Sequence, residues 1–180
     1  MELYEKKLNR TTEFKGRIFT VETGENMLAD GTVAKRERVI HNGGAAILPI
    51  DKNGDITLVE QYRCGVEQVL LEIPAGKTEV GENPKDCAVR ELKEELGIVA
   101  KNVTSLGTLI PTPAYDSEVI YIFLAAELEY SEQKLDEGEF LNVIKMPLKK
   151  AVEQVMNGTI TDSKTQIAIL KAERILNGKA

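Results

Sequence analysis

Three glutamates in the middle of the chain are spaced so that they can share one face of a helix. The run Glu91-Leu92-Lys93-Glu94-Glu95 places its three carboxylates along one strip at helical spacing. Like charges four residues apart destabilise a helix by about 0.2–0.5 kcal/mol, so the strip is unfavourable unless a cation neutralises it. Carboxylate oxygens without neighbouring thiolates or imidazoles suit Mg²⁺ or Mn²⁺, and not zinc. The residue types therefore predict a divalent-cation site, although the run alone also fits an ordinary solvated face.

The helix that carries these glutamates has clear predicted ends. Asn83 is a favourable N-cap, Pro84 suits the first helical position, and Gly97 suits the residue that follows the last turn. The sequence thus predicts a helix over residues 84–96. Its apolar side chains recur at helical spacing and should face the core; they are Ala88, Val89, Leu92 and Leu96.

A longer pattern surrounds this helix at fixed spacing. Gly76 is followed after five residues by Glu82, and after seven more by Arg90-Glu91-Leu92-x-Glu94-Glu95-x-Gly97-Ile98. In these positions the chain resembles the 23-residue signature, the Nudix box, of the Nudix hydrolases. The resemblance implies an α/β fold: an α/β/α sandwich with a mixed β-sheet over residues 42–180.

The resemblance also implies a metal site. In Nudix hydrolases the box binds divalent cations that hold the pyrophosphate of a nucleoside diphosphate derivative. Carried onto this chain, Glu91 and Glu95 would be the principal ligands, with Glu94 beside them. The backbone carbonyl of Ala75 would reach one of the ions. The expected cofactor is Mg²⁺, two or three ions, with Mn²⁺ as a substitute.

Other box residues are expected to support the ligands. Arg90 would pair with carboxylates, Glu82 among them, and so orient the ligands. Gly76 and Gly97 would serve as backbone positions, where a turn or a close approach leaves no room for a side chain.

A second acidic run, Asp136-Glu137-Gly138-Glu139, lies after the box. In the ADP-ribose pyrophosphatases, the Nudix group that this chain resembles more closely, the general base comes from a loop in this part of the chain. We therefore assign Glu137 as the base that takes the proton of the attacking water and Glu139 as an additional metal ligand. Two alternatives stay open: the roles of these two glutamates are exchanged, or the run is an exposed acidic turn.

Four residues carry the expectation about substrate. Pro113 lies sixteen residues after Gly97, where ADP-ribose pyrophosphatases typically have proline. By the same resemblance, Arg63 would contact substrate phosphate and Arg36 the adenine or its ribose. Glu118 would lie in a loop that closes over the site and contact the substrate there. The competing interpretations are a proline that only shapes its loop and, for the charged residues, surface salt bridges.

The implied reaction is Mg²⁺-dependent hydrolysis of ADP-ribose to AMP and ribose 5-phosphate. Two alternatives remain. The chain could hydrolyse other nucleoside diphosphate derivatives, such as nucleotide sugars or dinucleoside polyphosphates. It could also be a Nudix module that binds ADP-ribose without cleaving it, although the box glutamates are all present.

The remaining segments predict two regions. Residues 1–41 read as an antiparallel β region, with strands Lys15–Glu22 and Thr32–Ile40 joined at Asp30-Gly31. Residues 42–180 contain the Nudix domain, in which strands Ala45–Ile50 and Ile56–Tyr62 should pair across the Asn53-Gly54 turn. Further strands are predicted over residues 69–73, 102–110, 118–126 and 141–146. Two helices are predicted after them, one from Pro147 and one over residues 163–176. By the resemblance, the N-terminal region would form a homodimer.

Composition limits the functional classes. Among 180 residues, 29 are acidic and 23 basic, a formal charge of −6, and binding of nucleic acid would require a basic face. No stretch approaches the roughly 20 apolar residues of a membrane-spanning helix, and two cysteines are too few for a disulfide framework. We therefore expect a cytoplasmic protein without a membrane or nucleic-acid partner. Its acid excess is concentrated in the box and in residues 136–139.

Overall fold

The computed structural model describes residues 3–178, and within them the chain forms ten strands and three helices. It divides into two compact units. The first unit comprises the chain up to Gly43 together with Ile110–Val119, and the second comprises Gly44–Leu109 with the chain from Ile120 onward.

The first unit is built on a three-stranded antiparallel sheet of β1 (Lys6–Lys15), β2 (Phe19–Met27) and β3 (Val33–His41), in that order. The predicted turn between β2 and β3 is confirmed, because Asp30 accepts the Thr32 N–H and Gly31 has φ +85°. The predicted strand Lys15–Glu22 is wrong. The chain turns after Lys15, where the Gly16 N–H donates to the Phe19 carbonyl at 3.0 Å.

The segment Ile110–Val119 joins this sheet at β3. The Val39 N–H donates to the Tyr115 carbonyl at 2.8 Å, and the Ser117 N–H donates back to the Val39 carbonyl at 3.0 Å. The Ser117 hydroxyl also accepts the His41 N–H. The predicted strand over 118–126 consequently begins later than expected, at Ile120.

The second unit is a mixed sheet enclosed by helices, which confirms the predicted α/β/α sandwich. The sheet has the order β7 (Ala75–Lys77), β4 (Gly44–Pro49), β9 (Ile120–Tyr130) and β8 (Ile98–Leu109), with β4 and β9 parallel. A second, antiparallel sheet has the order β10 (Leu141–Pro147), β5 (Asp55–Arg63) and β6 (Gln68–Glu72). The helices are α1 (Pro84–Leu96), α2 (Leu148–Met156) and α3 (Ser163–Leu176).

Strand β4 is the centre of the sandwich because both of its faces are buried. Ala45 and Ile47 pack in a cluster with α1, whereas Ala46 and Leu48 pack in a cluster with α2 and α3. Alternate side chains of a strand point to opposite faces, so this one apolar run serves two cores. The box helix is thereby fixed against the middle of the mixed sheet.

Two local predictions are corrected by this arrangement. The turn at Gly54 is present, with φ +82°. However, β4 and β5 do not pair as neighbouring strands: they belong to different sheets and are joined by one isolated antiparallel bridge, between Ile50 and Ile56. The strands hydrogen-bonded beside β4 are β7 and β9, while its two buried faces are covered by α1 on one side and by α2 and α3 on the other. Pro147, predicted as the first helical residue, ends β10 and is the N-cap of α2.

Candidate functional site

The box helix forms over the predicted residues, Pro84–Leu96. The Asn83 side chain accepts the Lys85 N–H at 2.9 Å, and Gly97 adopts the left-handed conformation with φ 63°. Ala88 and Leu92 are fully buried against β4 and β9. The helix is therefore held at both ends and along its apolar face, which fixes the direction of its glutamates.

Glu95 is the most unusual of these glutamates, because its side chain is buried. It is 2% exposed, and its Oε2 has no hydrogen-bond partner among the described residues. Burial, together with the charges of Glu91 and Glu139, raises the pKa of Glu95 to about 8, against the opposing effect of a hydrogen bond from the Ala75 backbone. An ionised carboxylate in such a place is costly without a compensating charge, so a cation would stabilise this site.

Glu91 lies in a space that only glycine at position 76 leaves open. A Cβ on Gly76 would stand 1.8 Å from Glu91 Oε1, closer than any real contact. Burial raises the pKa of the Glu91 carboxyl, and the hydrogen bond from Arg90 opposes this. Strand β7, which carries Gly76 and Ala75, pairs with β4. The backbone around Ala75 and the Glu91 carboxylate are thus brought together by sheet pairing.

Arg90 organises the carboxylates that surround it. Its guanidinium donates to Glu82 at 3.0 and 3.2 Å, to Glu91 at 2.6 Å and to Glu94 at 3.0 Å. The hydrogen bonds from Arg90 and from the Glu79 backbone lower the pKa of Glu82 to about 2. The structure therefore brings Arg90 and Glu82 together as the sequence predicted. Three carboxylates accept hydrogen bonds from this one guanidinium.

The segment after β9 is attached to the C-terminal end of the box helix. Ser131 bonds to the Gly97 carbonyl, the Gln133 amide donates to the Glu95 carbonyl, and the Lys134 N–H donates to the Glu94 carbonyl. These bonds satisfy carbonyls that the helix end leaves open. They also fix the start of the chain segment that leads to Glu137 and Glu139.

Glu139 and Glu137 differ in their surroundings. Glu139 is half-buried, accepts a hydrogen bond from the Gln61 amide at 3.2 Å, and acts electrostatically on Glu91 and Glu95. Glu137 is exposed in the turn Glu137-Gly138. The structure thus brings Glu139 to the box. The sequence does not indicate a role for Gln61, since a lone glutamine on a strand carries no signal of its contacts.

The donor set fits a hard divalent cation. Glu91, Glu95 and Glu139 offer only oxygen atoms, and the Glu95 Oε2 is buried without a partner. Among residues 3–178, no three His, Cys, Asp or Glu side chains already stand as a metal-binding group. Glu91 accepts a hydrogen bond from Arg90, and Glu139 accepts one from Gln61.

Arg63, expected on substrate phosphate, forms a two-pronged ion pair with Glu72. Its Nε and Nη2 donate to the two carboxylate oxygens at 2.7 and 2.8 Å. Arg63 remains 39% exposed at the side chain, whereas Glu72 is 1% exposed. The Arg63 charge also lies close enough to Glu95 to oppose the rise in its pKa. One edge of the guanidinium is therefore fixed while part of its surface stays accessible.

Glu72 has a second cationic partner, which the sequence does not indicate. The Lys164 ammonium donates to Glu72 Oε2 and, at 2.9 Å, to Asp162. Burial opposes ionisation of Glu72, but the bonds from Arg63 and Lys164 outweigh it and lower the pKa of Glu72. Lys164 lies 92 residues from Glu72 in sequence, so no local pattern could have indicated the pair.

The other predicted substrate residues belong to the first unit. Arg36 and Pro113 line a cavity of about 320 Å³, in which Arg36 is paired with Glu5 through Nε at 2.9 Å and Nη2 at 2.5 Å. Glu118 lies 3.4 Å from the Nδ1 of His41. The structure thus brings Arg36 and Pro113 to one cavity and shows Glu118 beside a histidine.

Comparison with known proteins identifies the family. A model of the NUDIX domain matches residues 40–165. The chain belongs to the Nudix family. It is 38% identical over 169 residues to a protein of Bacillus subtilis described as an ADP-ribose pyrophosphatase, with 93% of this chain and 91% of that protein covered.

Two further relatives of this Nudix hydrolase extend the comparison. A Bacillus methanolicus protein described as a methanol dehydrogenase activator is 37% identical over 171 residues, covering 93% of this chain and 92% of that one. A crystal structure of an ADP compounds hydrolase superimposes with a TM-score of 0.86 at 26% identity, covering 100% of this chain and 98% of the other. No helix within residues 3–178 is long and apolar enough to cross a membrane.

The space at Gly76 of the Nudix box gives a first testable prediction. Gly76→Ala should raise the Mg²⁺ concentration for half-maximal hydrolysis by about tenfold, because the new Cβ displaces the Glu91 carboxylate. A Mg²⁺ titration of the activity measures this. Gly65→Ala is the control, since a Cβ there meets nothing within 4 Å. An unchanged titration curve for Gly76→Ala would remove Glu91 from the proposed ligands.

Proposed function

We propose that this Nudix hydrolase cleaves the pyrophosphate bond of ADP-ribose with Mg²⁺, giving AMP and ribose 5-phosphate. The observation that carries the chemistry is the buried, unpartnered Glu95 oxygen, in a carboxyl on which the charges of Glu91 and Glu139 act. The substrate follows from relatives described as ADP-ribose pyrophosphatases, at 38% and 31% identity in Bacillus subtilis and Mycobacterium tuberculosis.

The proposed metal ligands are Glu91, Glu95, Glu139 and the carbonyl of Ala75, and they would hold two or three Mg²⁺ ions, with Mn²⁺ as a substitute. When bound, the ions neutralise the pyrophosphate and stabilise the charge that develops at phosphorus. The exposed face of the Arg63 guanidinium would bind a phosphate oxygen. Glu94 would stay beside the ligands, where its bond to Arg90 helps keep that guanidinium in place.

Glu137 is the proposed general base. It would accept a proton from the water that attacks phosphorus, and the bond from phosphorus to the bridging oxygen would break, so that both products leave as phosphate monoesters. Its exposed turn gives it access to solvent water. The attachment of residues 131–134 to the box helix supports a defined position for this segment.

We propose that the cavity of the first unit contains substrate-binding residues. Arg36 and Pro113 line it, and Glu118 lies in the same unit. Arg36 is paired with Glu5, so its planar guanidinium is already held in one orientation, which suits stacking or hydrogen bonding to a base.

A panel of substrates tests this function. We expect ADP-ribose to give a higher kcat/KM than ADP-glucose, GDP-mannose, diadenosine polyphosphates or oxidised nucleoside triphosphates, with product phosphate released by an added phosphatase. Omission of Mg²⁺ is the control. If ADP-ribose ranked among the poorest substrates, the substrate assignment would be wrong while the family would stand.

A second candidate is hydrolysis of another nucleoside diphosphate derivative. Relatives described as GDP-mannose pyrophosphatases are 28% identical, and the protein described as a methanol dehydrogenase activator is almost as similar as the first pyrophosphatase. These relatives are the reason that GDP-mannose is included in the panel of substrates. The non-catalytic ADP-ribose-binding module is the less favoured reading, because Glu91, Glu94 and Glu95 are all retained.

We also propose a homodimer formed through residues 1–41, as the sequence predicts. Support comes from the exposed apolar side chains of this region, each at least 40% exposed: Leu8, Phe14, Ile18, Phe19 and Val33. Light scattering during size exclusion should give twice the mass of one chain. Leu8→Glu should lower that mass, whereas Tyr130→Glu, at an exposed position of the second unit, should not. A monomeric wild-type protein would contradict the dimer.

A further inference from the structure

A buried charge cluster lies behind Arg63 in the second unit. It consists of Arg63, Glu72, Lys164 and Asp162, two cations and two anions. Glu72 is 1% exposed and Lys164 is 8% exposed. Buried ion pairs of this kind contribute little net stability, so stability alone does not account for this cluster.

Each oxygen of Glu72 has a defined partner. Oε1 accepts the Arg63 Nε, and Oε2 accepts both the Arg63 Nη2 and the Lys164 ammonium. The lysine therefore determines the rotation of the carboxylate, and the carboxylate determines the plane of the guanidinium. Asp162 holds the lysine from its other side at 2.9 Å.

The same end of α3 also fixes the backbone next to Glu72. Asp162 caps the helix by accepting the Thr165 N–H at 2.9 Å, and the Thr165 hydroxyl donates to Asp162 at 2.6 Å. That hydroxyl in turn accepts the Ile73 N–H at 2.8 Å. The first turn of α3 thus holds residues 72 and 73, directly before the strand that presents Ala75 and Gly76 to the box.

We propose that Lys164 is a positioning residue for substrate binding: through Glu72 it sets the orientation of the Arg63 guanidinium that receives the pyrophosphate. The inference rests on the proposed function, in which Arg63 binds phosphate. Lys164 itself does not touch the substrate. Without it, the cluster has one negative charge in excess, and Glu72 is free to rotate with Arg63 attached.

Lys164→Met tests the proposal, because methionine keeps the length of the side chain and removes its charge. We expect KM for ADP-ribose to rise about tenfold while kcat stays within about threefold. Calorimetric binding of ADP with Mg²⁺ should weaken by the same factor. Lys164→Arg should recover most of the affinity, since it restores a cation that can bond to Glu72 and Asp162.

Two comparisons separate positioning from a general effect of charge or stability. Lys171 lies on the same helix as Lys164, but its ammonium donates to the Leu106 carbonyl and not to Glu72. Lys171→Met should therefore leave ADP affinity unchanged. On an Arg63→Ala background, Lys164→Met should cause no further loss of affinity. If Lys164→Met does not fold, the charge-balanced pair Glu72→Gln with Lys164→Met replaces it, with the same tenfold loss expected.

The outcomes are distinct. Wild-type affinity in Lys164→Met, an equal loss on the Arg63→Ala background, or an equal loss in Lys171→Met would each overturn the proposal. So would wild-type protein that does not bind ADP at all. If the wild-type protein binds ADP but leaves ADP-ribose intact, the proposed function fails, and the ADP affinities still decide the role of Lys164.

Discussion

Glu95→Gln should lower kcat/KM for ADP-ribose by about 10³-fold. Glu95 is buried, and its Oε2 has no protein partner within the described residues. An amide keeps the shape of the side chain but removes the negative charge that would hold a divalent cation. Loss of a metal's contribution of several kcal/mol corresponds to this factor.

The same substitution should stabilise the protein when no metal is present. Above about pH 8, where the Glu95 carboxyl is ionised, replacing it with an amide removes the cost of a buried charge, so the Tm in EDTA should rise. Addition of Mg²⁺ should raise the Tm of the wild-type protein and leave that of Glu95→Gln nearly unchanged. Asp86→Asn, an exposed change on the same helix, is the control for both measurements. Wild-type Mg²⁺ dependence in Glu95→Gln would remove Glu95 from the ligands.

Glu137→Gln should lower kcat by about 10²–10⁴-fold with little change in substrate affinity. The expected reason is loss of the group that takes the proton from the attacking water, since general-base catalysis contributes about this factor. Glu137 is exposed and lies in a turn, so the substitution should leave Tm unchanged. Single-turnover kinetics and ADP binding separate the chemical step from affinity.

Glu139→Gln is the informative partner of this experiment. Glu139 is half-buried, bonded to Gln61 and close enough to Glu95 to raise its pKa, as expected of a ligand. Its replacement should therefore change the Mg²⁺ titration, which Glu137→Gln should not do. Glu132→Gln, in the same segment and exposed, is the control. Suppose that Glu137→Gln has near-normal turnover, and that kcat of Glu139→Gln no longer depends on pH as the wild-type kcat does. The two glutamates would then exchange roles, with Glu139 as the base.

The box helix could be predicted to the residue because its signals are local. Asn83, Pro84 and Gly97 mark its ends, and Ala88 and Leu92 mark its buried face, all within a few residues of the backbone groups they affect. The final helix over 163–176 was predicted for similar reasons. Strand β1 was missed because it is almost wholly polar and exposed, so no apolar alternation reveals it.

The partners within the site could not be predicted, because they come from distant parts of the chain. Gln61 meets Glu139 across 78 residues, and Lys164 meets Glu72 across 92. The sequence shows only isolated polar residues at these positions. The pairing of β4 was predicted incorrectly for a related reason. A turn at Gly54 indicates a reversal of the chain, but the strands that pair with β4 are β7 and β9, which come later in the chain and which a local turn signal does not indicate.

The most direct test of the account is chromatographic identification of the products of ADP-ribose with purified protein. With Mg²⁺, we expect AMP and ribose 5-phosphate in equal amounts. Neither product should form in EDTA. With Mg²⁺, Glu95→Gln should form both products far more slowly than the wild-type protein. Full cleavage in EDTA, or equal cleavage by Glu95→Gln, would contradict a metal-dependent pyrophosphatase centred on the buried carboxylate of the box helix.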